Sequence, residues 1–199
     1  MSNSQKDGIY TIGLALFFFT LAITATIFAS YPIFHFDIGH YFLDQEANMS
    51  SSRLMHNYNQ MMNYLINPFD WHWYLDDFRS SLSGRTHFED CKKLFMLNFA
   101  VLIISGMYVW FNRKKRAYYN KVFLYIAIVG VILAALMVVD FDDFFVIFHK
   151  ILFRNNDWLF DASLDPIIDV LPEEFFTQCF VLFFVLFEGL NIYKYFQKK

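Results

Sequence analysis

Four long apolar blocks, separated by polar stretches, dominate the pattern of this chain. The blocks cover about residues 9–30, 94–111, 122–139 and 175–193, and the first three contain no Asp, Glu, Lys or Arg. A helix needs roughly 20 mostly apolar residues to cross a bilayer. The pattern therefore predicts an all-α membrane protein, a four-helix transmembrane bundle that forms a single membrane domain over residues 1–199.

The charges between the blocks predict the orientation of the bundle. The connection between the second and third blocks is strongly basic, and both chain ends carry lysines, among them Lys198 and Lys199. The other two connections, about 31–93 and 140–174, hold every acidic residue except Asp7 and Glu188. Because Lys and Arg concentrate on the cytoplasmic side, we expect both termini in the cytoplasm and an extracytoplasmic cap formed by the two outer loops.

Two shorter helices are predicted within these loops. Ser50 can cap a helix that ends near Leu65, since apolar residues recur there at helical spacing. A second, amphipathic helix runs from Asp140 to Phe153. It is too short and too charged to span a bilayer and is therefore expected to lie along the outer interface.

Composition narrows the classes of function. The chain is 57% hydrophobic and 22% aromatic, with a net charge of -3, so nothing indicates nucleic-acid binding. It has no Gly-x-Ser-x-Gly elbow, no phosphate-binding glycine loop and no paired Cys spacing of a zinc site. We therefore expect no metal and no cofactor.

Two histidines are the main candidates for chemistry. His87 and His149 lie just outside the second and third blocks, on the side predicted to be extracytoplasmic. Because a short connection makes these blocks a helical hairpin, their outer ends should be neighbours. An imidazole with a pKa of about 6.5 serves as acid or base near neutral pH, although either ring could also be an ordinary interfacial residue.

Other polar residues are weaker candidates. Those that could bind an interfacial substrate, or equally satisfy loop backbone groups, include Arg85, Asn59, Asn155 and Trp158. Glu188 is the only charge well inside a block, and such residues are functional suspects by default. We favour a structural role for it, with Lys194 as a possible partner.

Three stretches carry a resemblance to a known family. They are Tyr58-Asn59 with Tyr64-Leu65; His87-Phe88-Glu89-Asp90-Cys91-Lys92; and Asp140-Phe141-Asp142 with Phe148-His149, Asn155, Trp158, Asp165-Pro166 and Leu171-Pro172-Glu173. In these stretches the chain resembles the lipoprotein intramolecular transacylases, small four-span integral membrane proteins of Gram-positive bacteria. The resemblance covers nearly the whole chain, and the third stretch is the most specific.

The resemblance implies an acyltransferase of the bacterial cell membrane, with its active site at the extracytoplasmic interface. Such an enzyme moves an acyl chain from the S-diacylglyceryl group to the α-amino group of the N-terminal cysteine of a lipoprotein, giving the lyso N-acyl S-monoacylglyceryl form. The catalytic histidine pair falls on His87 and His149, and Tyr58 joins the substrate-binding candidates. The implied partners are a diacylated lipoprotein and membrane lipid, with no cofactor and no obligate protein partner.

Two alternatives from other classes remain open. The chain could be a non-catalytic membrane adaptor or chaperone that holds lipoproteins through its aromatic cap. It could also be a metal-dependent membrane hydrolase, since six histidines are many for 199 residues.

Overall fold

The computed structural model describes residues 1–197 and is all-helical over them. It contains seven α-helices and one short 3₁₀ helix: α1 (Asn3–His40), α2 (Leu43–Glu46), α3 (Ser51–Ile66), α4 (Leu82–Asn112), α5 (Asn120–Val139), α6 (Phe141–Leu152), the 3₁₀ helix (Pro166–Val170) and α7 (Glu173–Phe196). The predicted all-α class is confirmed. Lys198 and Lys199, which the charge argument uses, lie outside the described residues.

Four of the helices are long and apolar enough to cross a membrane by length and composition, namely α1, α4, α5 and α7. They coincide with the four apolar blocks, so the prediction of four spans is confirmed. Helix α4 extends well beyond its block and begins at Leu82. His87 therefore lies within the second turn of a long helix rather than in a loop.

The internal contacts divide the chain into two compact units. The first comprises Met1–Ile27, Leu97–Phe141 and the residues from Phe180 on, and the second comprises Phe28–Met96 and Asp142–Cys179. The second unit contains α2, α3, α6 and most of the acidic residues. Both histidines of interest belong to it.

The first unit packs around one face of α1. Tyr10, Leu14, Phe18 and Ala22 recur at every fourth residue, which places them on one side of the helix, and all are buried. Phe18 packs against Phe123 of α5 with ring centroids 6.0 Å apart. Since lipid offers no hydrophobic driving force between helices, such close packing is what joins them.

Glu188 lies buried in this first unit. Neither of its carboxyl oxygens has a hydrogen-bond partner among residues 1–197, and a side chain at Gly130 of α5 would collide with its Oε1. Lys194 donates instead to Gln197 Oε1, at 2.6 Å, and lies over the ring of Tyr118. The proposed Glu188–Lys194 pair is therefore wrong, since residues six apart point to different sides of a helix.

The second unit is fastened by the buried Lys92 of α4. Its ammonium group donates to the carbonyl oxygens of Tyr64, Asn67 and Asp70 around the carboxyl end of α3. It also lies 4.8 Å from the centroid of the Trp71 ring. A cation at this position satisfies carbonyls that the end of a helix leaves unpaired, so Lys92 attaches α4 to α3.

A second attachment fixes the beginning of α4. The buried carboxylate of Asp165 accepts from the backbone N–H of Ser81, at 2.7 Å, and from its hydroxyl, at 2.6 Å. Gly84 leaves room for that carboxylate, with which a Cβ would collide. The segment after α6 thereby holds the turn from which His87 projects.

The attachment by Lys92 predicts unequal effects for two adjacent lysines. Lys92→Met leaves three carbonyls without their donor and should reduce the free energy of unfolding by roughly 2 kcal/mol or more. Lys93 is exposed and, within residues 1–197, pairs with Glu89 and Asp90 at the surface, so Lys93→Met should cost less than about 1 kcal/mol. Thermal unfolding in detergent measures both, and an equal or larger loss for Lys93→Met would contradict the assignment.

Candidate active site

The structure brings His87 and His149 together. Their ring centroids are 5.7 Å apart and the ring planes are inclined by 38°. The side chains are buried, with 8% and 7% of each residue exposed. The two titratable rings are therefore direct neighbours in the fold.

Helix α6 carries His149. The chain takes an extended conformation at Asp140 and starts again as α6, whose first turn carries Asp142 and Asp143. Acidic residues are favourable at the amino end of a helix. Helix α6 then buries His149 while Ile147 and Ile151 remain exposed. The predicted helix is confirmed over Phe141–Leu152, and its position along the outer interface stays a prediction.

Aromatic side chains enclose the two imidazoles. Phe153 contacts both rings, with centroids 4.8 Å from His87 and 5.6 Å from His149. Phe160 meets the His87 ring edge-on at 5.5 Å, and Phe145 lies 3.9 Å from His149. These walls reduce access of water to the pair.

Burial and one hydrogen bond determine the state of His149. Burial lowers its pKa below the ordinary value of 6.5, and the hydrogen bond to Phe145 opposes this shift. Nδ1 donates to the carbonyl oxygen of Phe145 at 2.8 Å, because a carbonyl can only accept. His149 is therefore neutral near pH 7, with its proton on Nδ1 and a lone pair on Nε2.

Asn155 and Trp158 connect the two histidine-bearing segments. Asn155 Nδ2 donates to Asp90 Oδ2 of α4 at 3.0 Å, and Trp158 Nε1 donates to the Asn155 carbonyl at 3.0 Å. The Trp158 ring lies 5.0 Å from that of His149. Asn155 and Trp158 thus help to hold the two histidines in place. The expected contact of these two residues with substrate stays a prediction.

The remaining binding candidates lie elsewhere on the second unit. Tyr58 is 1% exposed, donates to Ser30 Oγ at 2.7 Å and stacks on Phe34, which are contacts of packing. Arg85 and Asn59 are exposed. The role of these three residues in binding stays a prediction.

Sequence reasoning missed the aromatic walls and a thiol. Nothing distinguishes Phe153 and Phe160 among 27 phenylalanines. The sulfur of Cys91 lies 3.4 Å from Nε2 of His87. Residues four apart on a helix are neighbours, so the sequence spacing could have indicated this contact. Within residues 1–197, no group of three or more His, Cys, Asp or Glu is arranged to hold a metal ion.

Four spanning helices and a buried imidazole pair define a multi-pass membrane protein with a site suited to proton transfer. Residues 9–176 match the family model described as lipoprotein intramolecular transacylase Lit. The chain therefore belongs to the Lit family, and it is an enzyme of the transacylase class.

Solved structures agree with this assignment. The chain is similar to the membrane integral lipoprotein intramolecular transacylase Lit from Bacillus cereus, with 28% identity, a TM-score of 0.79, and coverage of 94% of this chain and 89% of that one. Two further structures of the Bacillus cereus protein, with one histidine replaced by arginine or by alanine, give TM-scores of 0.68 at 28% and 29% identity. They cover 94% of this chain and 86% and 87% of those chains, respectively. Among curated proteins, none matches significantly.

The link through Asn155 gives a prediction for two neighbouring asparagines. Asn155→Ala removes the bond to Asp90 and loosens the segment carrying Trp158, so turnover should fall about tenfold, as expected for loss of a hydrogen bond to a charged group. Asn156 is exposed, and Asn156→Ala should leave turnover unchanged. Conversion of a diacylated lipopeptide by the purified variants measures both, and equal rates for the two would contradict the link.

Proposed function

We propose that this protein transfers an acyl chain within one diacylated lipoprotein, from the S-diacylglyceryl group to the α-amino group of the N-terminal cysteine. The product is the lyso N-acyl S-monoacylglyceryl form. The observation that carries the proposal is the buried pair of His87 and His149, with rings 5.7 Å apart, in a member of the Lit family. We assign the pair the role of general acid and base.

His149 has the features of the base. An α-amino group has a pKa of about 7.7–8.0 and is mostly protonated at neutral pH, when it cannot act as a nucleophile. The neutral His149, whose Nδ1 is engaged with Phe145, offers the lone pair of Nε2 to take that proton. The amine nitrogen then attacks the ester carbonyl carbon, and a carbon–nitrogen bond forms.

His87 completes the transfer on the oxygen side. The attacked carbonyl oxygen gains negative charge, which an N–H group of an imidazole stabilises. The nitrogen loses a second proton as the amide forms, the bond between the carbonyl carbon and the glycerol oxygen breaks, and that oxygen receives this second proton through the histidine pair. The first proton, taken from the protonated amine, leaves to solvent, so the products are the amide, the alcohol and one released proton, and the reaction uses no cofactor.

The enzyme can rely mainly on orienting its substrate, because the acyl donor and the acyl acceptor belong to one molecule. Well-oriented intramolecular reactions reach effective molarities of about 10⁵ M or more. The aromatic walls around the histidines contribute by excluding water, which would otherwise hydrolyse the ester. The site therefore favours aminolysis over hydrolysis mainly by orientation.

We place this reaction at the extracytoplasmic interface of a bacterial cell membrane. The basic connection between α4 and α5 favours the cytoplasm, so the opposite ends of these helices, which carry His87 and lead to His149, face outward. Both termini then lie inside, and the acidic segments form the outer cap. Arg85, exposed on α4, is suited to contact the substrate there.

The direct test is acyl migration by the protein alone. Purified in detergent and incubated with a synthetic diacylated lipopeptide, it should give the lyso product, detected by mass spectrometry, in the presence of EDTA and without an added acyl donor. Release of free fatty acid that EDTA abolishes would indicate a metal-dependent hydrolase instead. No change in the lipopeptide would contradict the proposed reaction.

The histidine pair should be needed for that activity. His87→Ala and His149→Ala should each reduce the rate by about 100-fold or more, the usual contribution of general acid–base catalysis. His72 is exposed, and His72→Ala should retain the full rate. Full activity in either of the first two variants, at normal expression and thermal stability, would remove the pair from the mechanism.

The lowered pKa of His149 gives a prediction for acidic pH. The ring should remain neutral below pH 6.5, the ordinary value, and protonate only under more acidic conditions, where the base is lost and turnover falls. Since protonation charges a buried ring, stability contributed by the neutral state should also decline as pH drops below 6.5. An NMR titration of the His149 ring measures this directly, and a midpoint at or above 6.5 would contradict it.

A further inference from the structure

The His87 ring has a single hydrogen-bond partner in the described chain, the thiol of Cys91. Cys91 Sγ lies 3.4 Å from His87 Nε2, one turn further along α4. Nδ1 of the same ring is buried without a partner among residues 1–197. Besides His149, the rings around it are those of Phe88, Phe153 and Phe160, and aromatic walls do not determine which nitrogen carries the proton.

The chemistry of the two groups gives the direction of this bond. A thiol is a weak donor and its sulfur is a poor acceptor, whereas an unprotonated imidazole nitrogen is a good acceptor. The Cys91 S–H therefore donates to Nε2 of His87. The nitrogen that accepts cannot carry the ring proton in the neutral state, so the proton resides on Nδ1.

We propose that Cys91 is a positioning residue that sets the tautomer of His87 and thereby presents its Nδ1–H to the reactant. The inference rests on the proposed function and deepens it. His149 presents a lone pair on Nε2, and His87 presents an N–H on Nδ1. The pair thus offers one acceptor and one donor while both rings are neutral, which is what removal of an amine proton and stabilisation of a carbonyl oxygen require.

Without the thiol, the two neutral tautomers of His87 become similar in energy. Only the fraction with a proton on Nδ1 would be competent to donate, and the ring would be less fixed in orientation. The effect should be modest, because one weak hydrogen bond is lost. It should reduce kcat and leave KM nearly unchanged, since the thiol does not contact the substrate.

The test compares three cysteine variants of the full-length protein in detergent. Cys91→Ala should lower kcat about three- to tenfold, and Cys91→Ser, which retains a donor, should recover most of that loss. A purely structural role predicts the opposite order, because a buried hydroxyl is more costly than a methyl group in an apolar site. The matched control is Cys179→Ala, which replaces the other free thiol and should leave kcat unchanged.

A spectroscopic measurement reads the tautomer itself. With ¹⁵N-labelled histidine, the His87 signals, identified by their absence from His87→Ala, should show a protonated Nδ1 and an unprotonated Nε2. In Cys91→Ala this pattern should shift to a mixture. An unchanged pattern, or Cys91→Ala at least as active as Cys91→Ser, would overturn the inference, as would an acyl group trapped on Cys91 during turnover.

Failure of the inference is distinguishable from failure of the proposed function. If His87→Ala is inactive while Cys91→Ala has full activity, the histidine pair stands and only the role of the thiol is lost. If His87→Ala is fully active, the proposed mechanism fails whatever the cysteine variants show.

Discussion

The burial of His87 and His149 away from water is the constraint on which the chemistry of the site depends. A ring buried among phenylalanines loses the solvation that would stabilise its charged form, and the pKa of His149 is lowered accordingly. Neutral rings have distinct donor and acceptor nitrogens, so their hydrogen bonds determine what each can do. His149 donates its bond to the Phe145 carbonyl, and His87 accepts its bond from the Cys91 thiol.

Such a pair needs a rigid support, since neither ring is held by a strong ionic contact. The support comes from two buried charged side chains whose hydrogen bonds join neighbouring segments. Lys92 binds three carbonyl oxygens at and just after the end of α3, and Asp165 accepts hydrogen bonds from the backbone N–H and the hydroxyl of Ser81. Leaving such a buried charge without its partners is costly. The part of α4 that carries His87 is therefore held in place.

The features predicted from sequence are those that local physics determines. A membrane span requires a continuous apolar segment, so four spans are evident from composition, and Ser50 caps α3 as predicted because its side chain needs only the N–H of Arg53. The burial of Lys92 could not be predicted in this way, because its three carbonyl partners come from another segment of the chain. From sequence alone, a lysine near a predicted interface is expected to be exposed. The Glu188–Lys194 pair failed for a local reason, since residues six apart point to different sides of a helix, and Lys194 lies over the ring of Tyr118 instead.

Only one part of the candidate site, the pair of histidines, could be predicted from the sequence. Two histidines at the ends of a helical hairpin are brought together by topology alone, whereas the walls that make them neutral consist of common phenylalanines. For the reaction we propose, in which one substrate molecule carries both the nucleophile and the electrophile, this arrangement is sufficient. On this proposal the protein has to fix orientation, exclude water and supply one acceptor and one donor. A hydrogen bond from His149 to a carbonyl and one from a thiol to His87 specify these without charging either ring.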